Sequence, residues 1–188
     1  EEMLDLANEH GFPLFSALAL CYRGWWSLAV GRVSEGVSLQ KEGISLYRAT
    51  GATVGSPRRL AQLAYGYAEL GQPAEALVRL REAAQLIEAT DERYYEAEVY
   101  RLQGDLLNAA GEQALALENY HRALAVARRQ SAKLFELRAA MRMARLWRDQ
   151  GKRDEARDLL APVYGWFAEG FDTRDLKEAK ALLDELAS

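Results

Sequence analysis

The hydrophobic and polar positions of this chain follow a pattern that recurs every 40 residues. The stretch LGQPAEAL at 70–77 shows it: a Gly ends one helix, a Pro begins the next, and an Ala and a Leu are spaced to pack. Such a stretch predicts a tight turn between two helices. Its counterparts are VGRVSEGV at 30–37, AGEQALAL at 110–117 and QGKRDEAR at 150–157.

Small residues stand at equivalent places on both sides of each turn. A small residue in each helix of a pair lets the two backbones approach closely, so the pattern predicts four helical hairpins. A single hairpin cannot bury its apolar face, and the hairpins must therefore stack. The small residues are Gly24, Ala64, Gly104 and Ala144 before the turns, and Gly36, Ala76, Ala116 and Ala156 after them.

The repeat divides the chain into four hairpins and two end segments. Residues 1–10 have the phase of a second helix whose first helix is missing, and the chain begins with Glu, so we expect a fragment with more repeats or another domain upstream. Residues 172–188 predict a C-terminal capping helix, which makes about ten helices in one repeat domain. The hairpins are predicted at 12–51, 52–91, 92–131 and 132–171.

The spacing of small residues around each turn resembles the tetratricopeptide repeat (TPR). Repeats two to four carry the resemblance, while repeat one departs from it with Ser27, Gly36, Gln40 and Gly43. The period is 40 instead of the usual 34 or so. The resemblance implies an all-α fold, a right-handed α-solenoid of antiparallel hairpins. The matching positions include Leu60, Ala64, Tyr67, Ala76, Leu80, Tyr100, Gly104, Ala116, Tyr120, Ala144, Trp147, Ala156 and Leu160.

A second resemblance covers most of the chain, chiefly residues 92–107 and 123–186. These segments, and above all the ending PVYGWFAEGFDTRDLKEAKALL at 162–183, are similar to the C-terminal region of large bacterial signalling proteins. In those proteins a class III nucleotide cyclase or another output domain precedes an AAA-type ATPase and a TPR-like array. The resemblance implies a regulatory region with no catalysis of its own.

The amino-acid composition is that of an ordinary globular protein. Hydrophobic residues make up 49% and charged residues 28% of the sequence, which argues against disorder. The apolar run at 15–22 is far too short to span a bilayer. The single cysteine, Cys21, excludes a disulfide within the chain. We therefore expect a cytoplasmic protein with no membrane partner.

The net charge of −4 is unevenly distributed. Residues 122–157 contain 11 basic and 4 acidic residues, a local charge of +7, whereas the rest of the chain has 13 basic and 24 acidic residues, a charge of −11. A basic island can bind nucleic acid, but repulsion from the rest of the chain would confine contact to one patch. Nucleic acid therefore ranks last among the partners considered.

Motifs for catalysis and for cofactor or metal binding are missing from the sequence. There is no GxxxxGK[ST] or GxGxxG motif, and His10 and His121 lack a partner at metal-ligand spacing. Cys21 lies in an apolar stretch, where burial is a commoner role than nucleophilic attack. We predict no enzyme activity, no cofactor and no metal.

Candidate binding residues follow from the geometry of a TPR-like array, in which the first helix of each hairpin lines the concave surface. Residues one position after each small residue should project there, with neighbours one turn away. Arg138, Arg142, Arg145 and Arg148 form a stripe along one helix. The predicted groove residues are Trp25, Tyr65, Arg101, Asp105, Asn108, Arg138, Arg145 and Arg148.

The arginine stripe has two interpretations at this point. It could bind a carboxylate or phosphate of a partner segment, with Trp25 and Tyr65 holding the apolar part. It could instead be solvated, or paired with Glu residues of neighbouring helices. The first functional hypothesis is a protein-interaction and regulatory module that binds a peptide, an acidic partner segment or other domains of the same protein. The alternative is a small-molecule effector sensor near Trp25, Tyr65 and Arg101 that controls an upstream ATPase or cyclase.

Overall fold

Ten helices and no strand make up residues 2–187, the part of the chain that our computed structural model describes. The all-helical prediction is confirmed. The helices are α1 (Glu2–Glu9), α2 (Pro13–Ala29), α3 (Val33–Ala49), α4 (Ser56–Glu69), α5 (Pro73–Thr90), α6 (Glu96–Ala109), α7 (Gln113–Arg129), α8 (Lys133–Asp149), α9 (Arg153–Tyr164) and α10 (Arg174–Ala187).

The chain forms two compact units, residues 2–95 and 96–187. Within each unit consecutive helices pack against each other, and the short turns that join them make the neighbours antiparallel. In the second unit α6 also contacts α8, and α8 contacts α10, so the first helices of successive hairpins lie side by side. In the first unit α2 and α4 are related in the same way.

Eight residues in the left-handed conformation are spaced 20 residues apart and lie at the ends of helices. At six of them the next residue donates its backbone N–H to the carbonyl five residues back, as Arg32 does to Ser27 at 2.8 Å. This bond belongs to the Schellman motif, which satisfies carbonyls at a helix end and favours glycine because glycine has no Cβ. The eight positions are Gly11, Gly31, Gly51, Gly71, Asp91, Gly111, Ser131 and Gly151.

Close contact between paired helices explains the small residues. A Cβ on Gly104 would lie 2.5 Å from Cε1 of Tyr120, whose ring is 1% exposed. A Cβ on Gly24 would lie 2.9 Å from the backbone of Gly36 and Gln40. The α2–α3 and α6–α7 pairs therefore approach closely at Gly24 and Gly104, two of the small residues that the 40-residue pattern marks.

The second unit has a continuous hydrophobic core that extends from α7 to α10. Leu137, Met143 and Leu160 are fully buried in it. The core also takes in Leu176, Ala179, Leu182 and Leu186, the apolar side of α10. This burial holds α10 against α8 and α9, and so positions the acidic residues of α10 beside the arginines of α8.

Candidate functional site

The predicted arginines of α8 lie opposite acidic residues of α10. Nε and Nη2 of Arg138 donate to the two carboxylate oxygens of Asp175 at 2.9 and 2.8 Å. Nη2 of Arg145 lies 3.1 Å from Oε2 of Glu178. These side chains are 26–37% exposed, so the pairs lie at the edge of the solvent.

Arg148 completes this row of ion pairs. Its Nη1 lies 2.5 Å from Oε2 of Glu185 on α10, and its Nε donates to Asp149 at 3.0 Å. The hydrogen bonds that Arg148 donates to Asp149 and Glu185 raise the pKa of Arg148. The second interpretation of the stripe, pairing with neighbouring helices, thus describes its state in this structure.

Arg101 and Asp105 of α6 are part of a buried polar network. Arg101 is 8% exposed and donates to both oxygens of Glu98, at 2.9 and 3.1 Å, and to Asp105 at 2.6 Å. Tyr120 donates its hydroxyl to Asp105 at 3.0 Å, and Nε of Arg142 lies 3.1 Å from the same carboxylate. Burial, together with the charge of Asp105, raises the pKa of Tyr120, so its hydroxyl keeps its proton. Asp105 is therefore shared by three donors.

An open depression of about 380 Å³ lies between α6 and α8. Four of the predicted groove residues line it, namely Asp105, Asn108, Arg145 and Arg148. Its lining also includes Tyr120, Arg142, Ala109, Leu146 and Asp149. The depression is polar and accessible, which suits a segment of peptide better than an apolar ligand.

Trp25 and Tyr65, the aromatic members of the prediction, meet in the first unit. Their ring centroids lie 5.9 Å apart with an interplanar angle of 65°, an edge-to-face contact. Both are half-buried and pack against the core around Leu28, Val37 and Leu63. The structure therefore brings the predicted residues together in two groups, one in each unit, with Arg138 and Arg101 flanking the depression of the second.

Sequence reasoning named Asp105 but missed the carboxylates of α10 that pair with the stripe, which are Asp175, Glu178 and Glu185. Asp105 pairs with Arg142, Arg138 with Asp175, and Arg148 with Glu185, each time across 37 residues. Residues that face each other on neighbouring first helices are thus 37 residues apart in the sequence, three fewer than the period of 40. A search for opposite charges at that spacing would have found these pairs.

The remaining candidate chemistry is sparse in the part of the chain that the structure describes. Burial raises the pKa of the Cys21 thiol. No group of three His, Cys, Asp or Glu side chains within residues 2–187 is arranged to hold a metal ion. Over the same range, no helix has both the length and the apolar character needed to cross a membrane.

Together the hairpins, the left-handed turns and the close small-residue contacts define a TPR-like helical repeat protein. Two similar solved structures are of a protein from Podosopora anserina described as a kinesin light chain with nearly identical TPR-like repeats. One, a single-residue variant, is 18% identical with a TM-score of 0.64, and the other is 20% identical with a TM-score of 0.62. Each match covers 89% of this chain and 83% of the other.

No protein-family model matches the chain, and no curated protein matches it either. The structural similarity is at low sequence identity and therefore shows the fold.

Proposed function

We propose that this chain is a non-catalytic, regulatory protein–protein interaction module of a bacterial signalling protein. The TPR-like fold supports the interaction role. The similarity of the ending at 162–183 to the C-terminal region of cyclase- and ATPase-containing proteins supports the signalling role. The partner is a peptide or protein segment, supplied by another protein or by another domain of the same one.

The proposed binding site is the depression between α6 and α8, and its ligand is a segment with an exposed carboxylate. Three guanidinium groups line it, those of Arg142, Arg145 and Arg148, against two carboxylates, those of Asp105 and Asp149. Asp105 is already shared with Arg101, and Glu178, the partner of Arg145, also accepts from Arg174 at 2.8 Å. This sharing, which leaves Arg142 and Arg145 able to donate to a further carboxylate, is the observation that carries the proposal.

Fluorescence anisotropy with paired labelled peptides tests this site. In each pair one peptide contains Asp and Glu, and the other contains Asn and Gln at the same places. We expect the acidic peptides to bind more tightly, and the double substitution Arg142→Gln/Arg145→Gln to weaken binding by about tenfold or more, because charge-assisted hydrogen bonds contribute about 1.5–3 kcal/mol.

The matched control removes two arginines elsewhere in the same unit. Arg122 and Arg157 lie on the second helices α7 and α9, with side chains 56% and 46% exposed. Arg122→Gln/Arg157→Gln lowers the net charge equally and should leave binding unchanged. Equal binding of the acidic and amide peptides, or equal loss in the two variants, would refute a specific carboxylate site.

The alternative of a small-molecule effector near Trp25, Tyr65 and Arg101 stays a prediction. Trp25 and Tyr65 are engaged in packing with each other and with the core of the first unit, and Arg101 is engaged by Glu98 and Asp105 in the second. The depression between α6 and α8 is therefore the better-supported site.

A further inference from the structure

A small recess lies in the first unit, beside the first turns of α4. Its volume is about 30 Å³, which is room for one small chemical group and not for a whole organic molecule. Arg58 and Arg59 both line it, whereas no carboxylate from the described part of the chain does. The other lining residues are Leu18, Cys21, Tyr22, Gly55, Gln62 and Tyr94.

The two arginines of the recess have no carboxylate partner. Both are half-buried, and neither forms a salt bridge with a residue in the range 2–187. Nη1 of Arg59 donates to the carbonyl of Val54 at 2.7 Å, and its Cζ lies 4.0 Å from the ring centroid of Tyr47. Cζ of Arg58 lies 5.9 Å from the ring centroid of Tyr22. Because a partly desolvated positive charge is unfavourable without a counter-charge, the pair favours an anion in the recess.

Gln62 adds an unpartnered amide to the same recess. Its side chain is 6% exposed, and it makes no hydrogen bond with any residue that the structure describes. Buried amides in native proteins are normally hydrogen-bonded, to protein, water or a ligand. Burial raises the pKa of the Tyr94 hydroxyl, which therefore keeps its proton. The neighbouring carboxylate of Glu92 accepts from the backbone N–H of Gly55 at 2.7 Å and pairs with neither arginine.

The equivalent arginine of the second unit shows what Arg58 can bind. Arg138 occupies the same place two periods later in the sequence. Its guanidinium donates to both oxygens of Asp175, at 2.9 and 2.8 Å, and lies 3.6 Å from Glu98. Uncharged residues take the places of these two acids around Arg58, so this arginine lacks the carboxylates that its counterpart binds. The two replacements are Leu18 for Glu98 and Tyr95 for Asp175.

We propose that the recess binds the carboxylate of a small organic acid, held by Arg58, Arg59 and Gln62. A carboxylate matches both the size of the recess and its guanidinium and amide donors. The body of the acid stays outside the recess, where Tyr22 and Tyr94 provide aromatic rings, so an acid with a flat aromatic body suits the site. The site lies wholly in the first unit and does not depend on peptide binding in the second.

Isothermal titration calorimetry of the whole chain with benzoate tests the site, and benzamide is the uncharged probe of similar shape. We expect benzoate to bind with a Kd between about 10 µM and about 1 mM, as suits a ligand of this size, and benzamide to bind about tenfold more weakly or worse. Arg58→Gln should raise the benzoate Kd about tenfold or more.

Two control variants make this titration specific. Arg81→Gln should leave the benzoate Kd unchanged, although Arg81 lies in the same unit, on α5, and also lacks a carboxylate partner among the described residues. Arg142→Gln/Arg145→Gln, which alters the proposed peptide site, should also keep benzoate binding. Failure of one site is thereby distinguished from failure of the other.

Two further measurements separate binding from folding. Cys21, the single cysteine, lines the recess and is 4% exposed, so saturating benzoate should slow its alkylation by iodoacetamide several-fold, whereas benzamide should not. Gln62→Leu should raise both the thermal unfolding midpoint and the benzoate Kd, because it removes an unpaired buried amide that the ligand would satisfy.

Three results would overturn the proposal. The first is the absence of saturable benzoate binding up to about 10 mM, far above the expected Kd. The second is equal binding of benzoate and benzamide, or an equal effect of Arg58→Gln and Arg81→Gln. The third is tighter binding of N-acetyl-aspartate amide than of benzoate, which would assign the recess to an Asp side chain of a polypeptide.

Discussion

Arg138 of α8 and Asp175 of α10 form a two-point ion pair, with Nε–Oδ1 and Nη2–Oδ2 distances of 2.9 and 2.8 Å. The guanidinium also lies 3.6 Å from Glu98 of α6. One arginine therefore joins three successive first helices. Because the two hydrogen bonds between the guanidinium and the carboxylate form side by side, they favour one register of α10 along α8.

Removing the charge of Asp175 should loosen the attachment of α10. We expect Asp175→Asn to lower the free energy of unfolding by about 1 kcal/mol, the upper range for a partly exposed pair with good geometry. Urea denaturation measures the change, and Asp154→Asn, at a carboxylate 81% exposed, is the control. If the losses in the free energy of unfolding caused by Arg138→Gln and Asp175→Asn simply add in the double variant, the two side chains do not stabilise the fold through their ion pair.

The close contact between Gly104 and Tyr120 predicts that Gly104→Ala destabilises the protein and that a smaller residue at 120 relieves the clash. Gly104→Ala should cost about 1–3 kcal/mol, because the added Cβ meets the buried ring of Tyr120. The equivalent pairs in repeats two and four are Ala64 with Leu80 and Ala144 with Leu160. Gly104→Ala/Tyr120→Leu should therefore be more stable than Gly104→Ala alone, as thermal unfolding would show. A double variant less stable than the single one would contradict this account.

The left-handed conformation shared by Gly151 and Ser131 predicts that substitutions at these two positions change stability in opposite directions. Gly151 has a φ of 80°, and a Cβ there would meet no atom within 4 Å, so Gly151→Ala isolates the conformational cost of about 1–2 kcal/mol. Ser131 holds the same conformation, with a φ of 55°, and Ser131→Gly should stabilise the protein by somewhat less. Chemical denaturation of both variants checks the signs. Loss of stability in Ser131→Gly would show that the serine side chain compensates for the strain.

Glu136 should make stability depend on acid pH. Its burial favours a raised pKa, but hydrogen bonds from Lys133 and Arg128 outweigh it and lower the pKa below its usual value. Because the folded-state pKa lies below the unfolded one, this stabilisation is present above the unfolded value of about 4.3 and is lost as the pH falls through the folded one. Between pH 7 and about 3, Glu136→Gln should therefore lose less stability than the native protein.

The control for Glu136 is Glu112→Gln, at an exposed residue directly before α7. Denaturant midpoints at several pH values compare the three proteins. Glu112→Gln should follow the native curve throughout. If Glu136→Gln also follows it, the ion pairs of Glu136 do not couple folding to protonation.

Much of the local structure could be predicted from the sequence. Small residues at 24, 64, 104 and 144, with turn glycines seven residues later, mark helices and turns because backbone geometry and close approach depend on nearby residues. Asp91 and Ser131 were harder to predict as left-handed positions, since only their phase in the repeat indicates it.

The candidate site could be predicted only in part. The sequence indicates which arginines share one face of α8, because that face depends on helix periodicity alone. It does not by itself fix that Asp175, Glu178 and Glu185 meet that face, because the offsets, which are 37, 33 and 37 residues from Arg138, Arg145 and Arg148, depend on how neighbouring helices pack.

The sequence by itself therefore determined the helices, the turns and the hairpin repeat of this protein, all of which rest on interactions between residues close in the chain. The tertiary structure alone decided that the arginine stripe is paired, that Trp25 packs on Tyr65, and that Trp26, beside it in sequence, is exposed. The physical reason is that charge compensation and burial are properties of neighbours in space. Those neighbours are set by the stacking of whole helices.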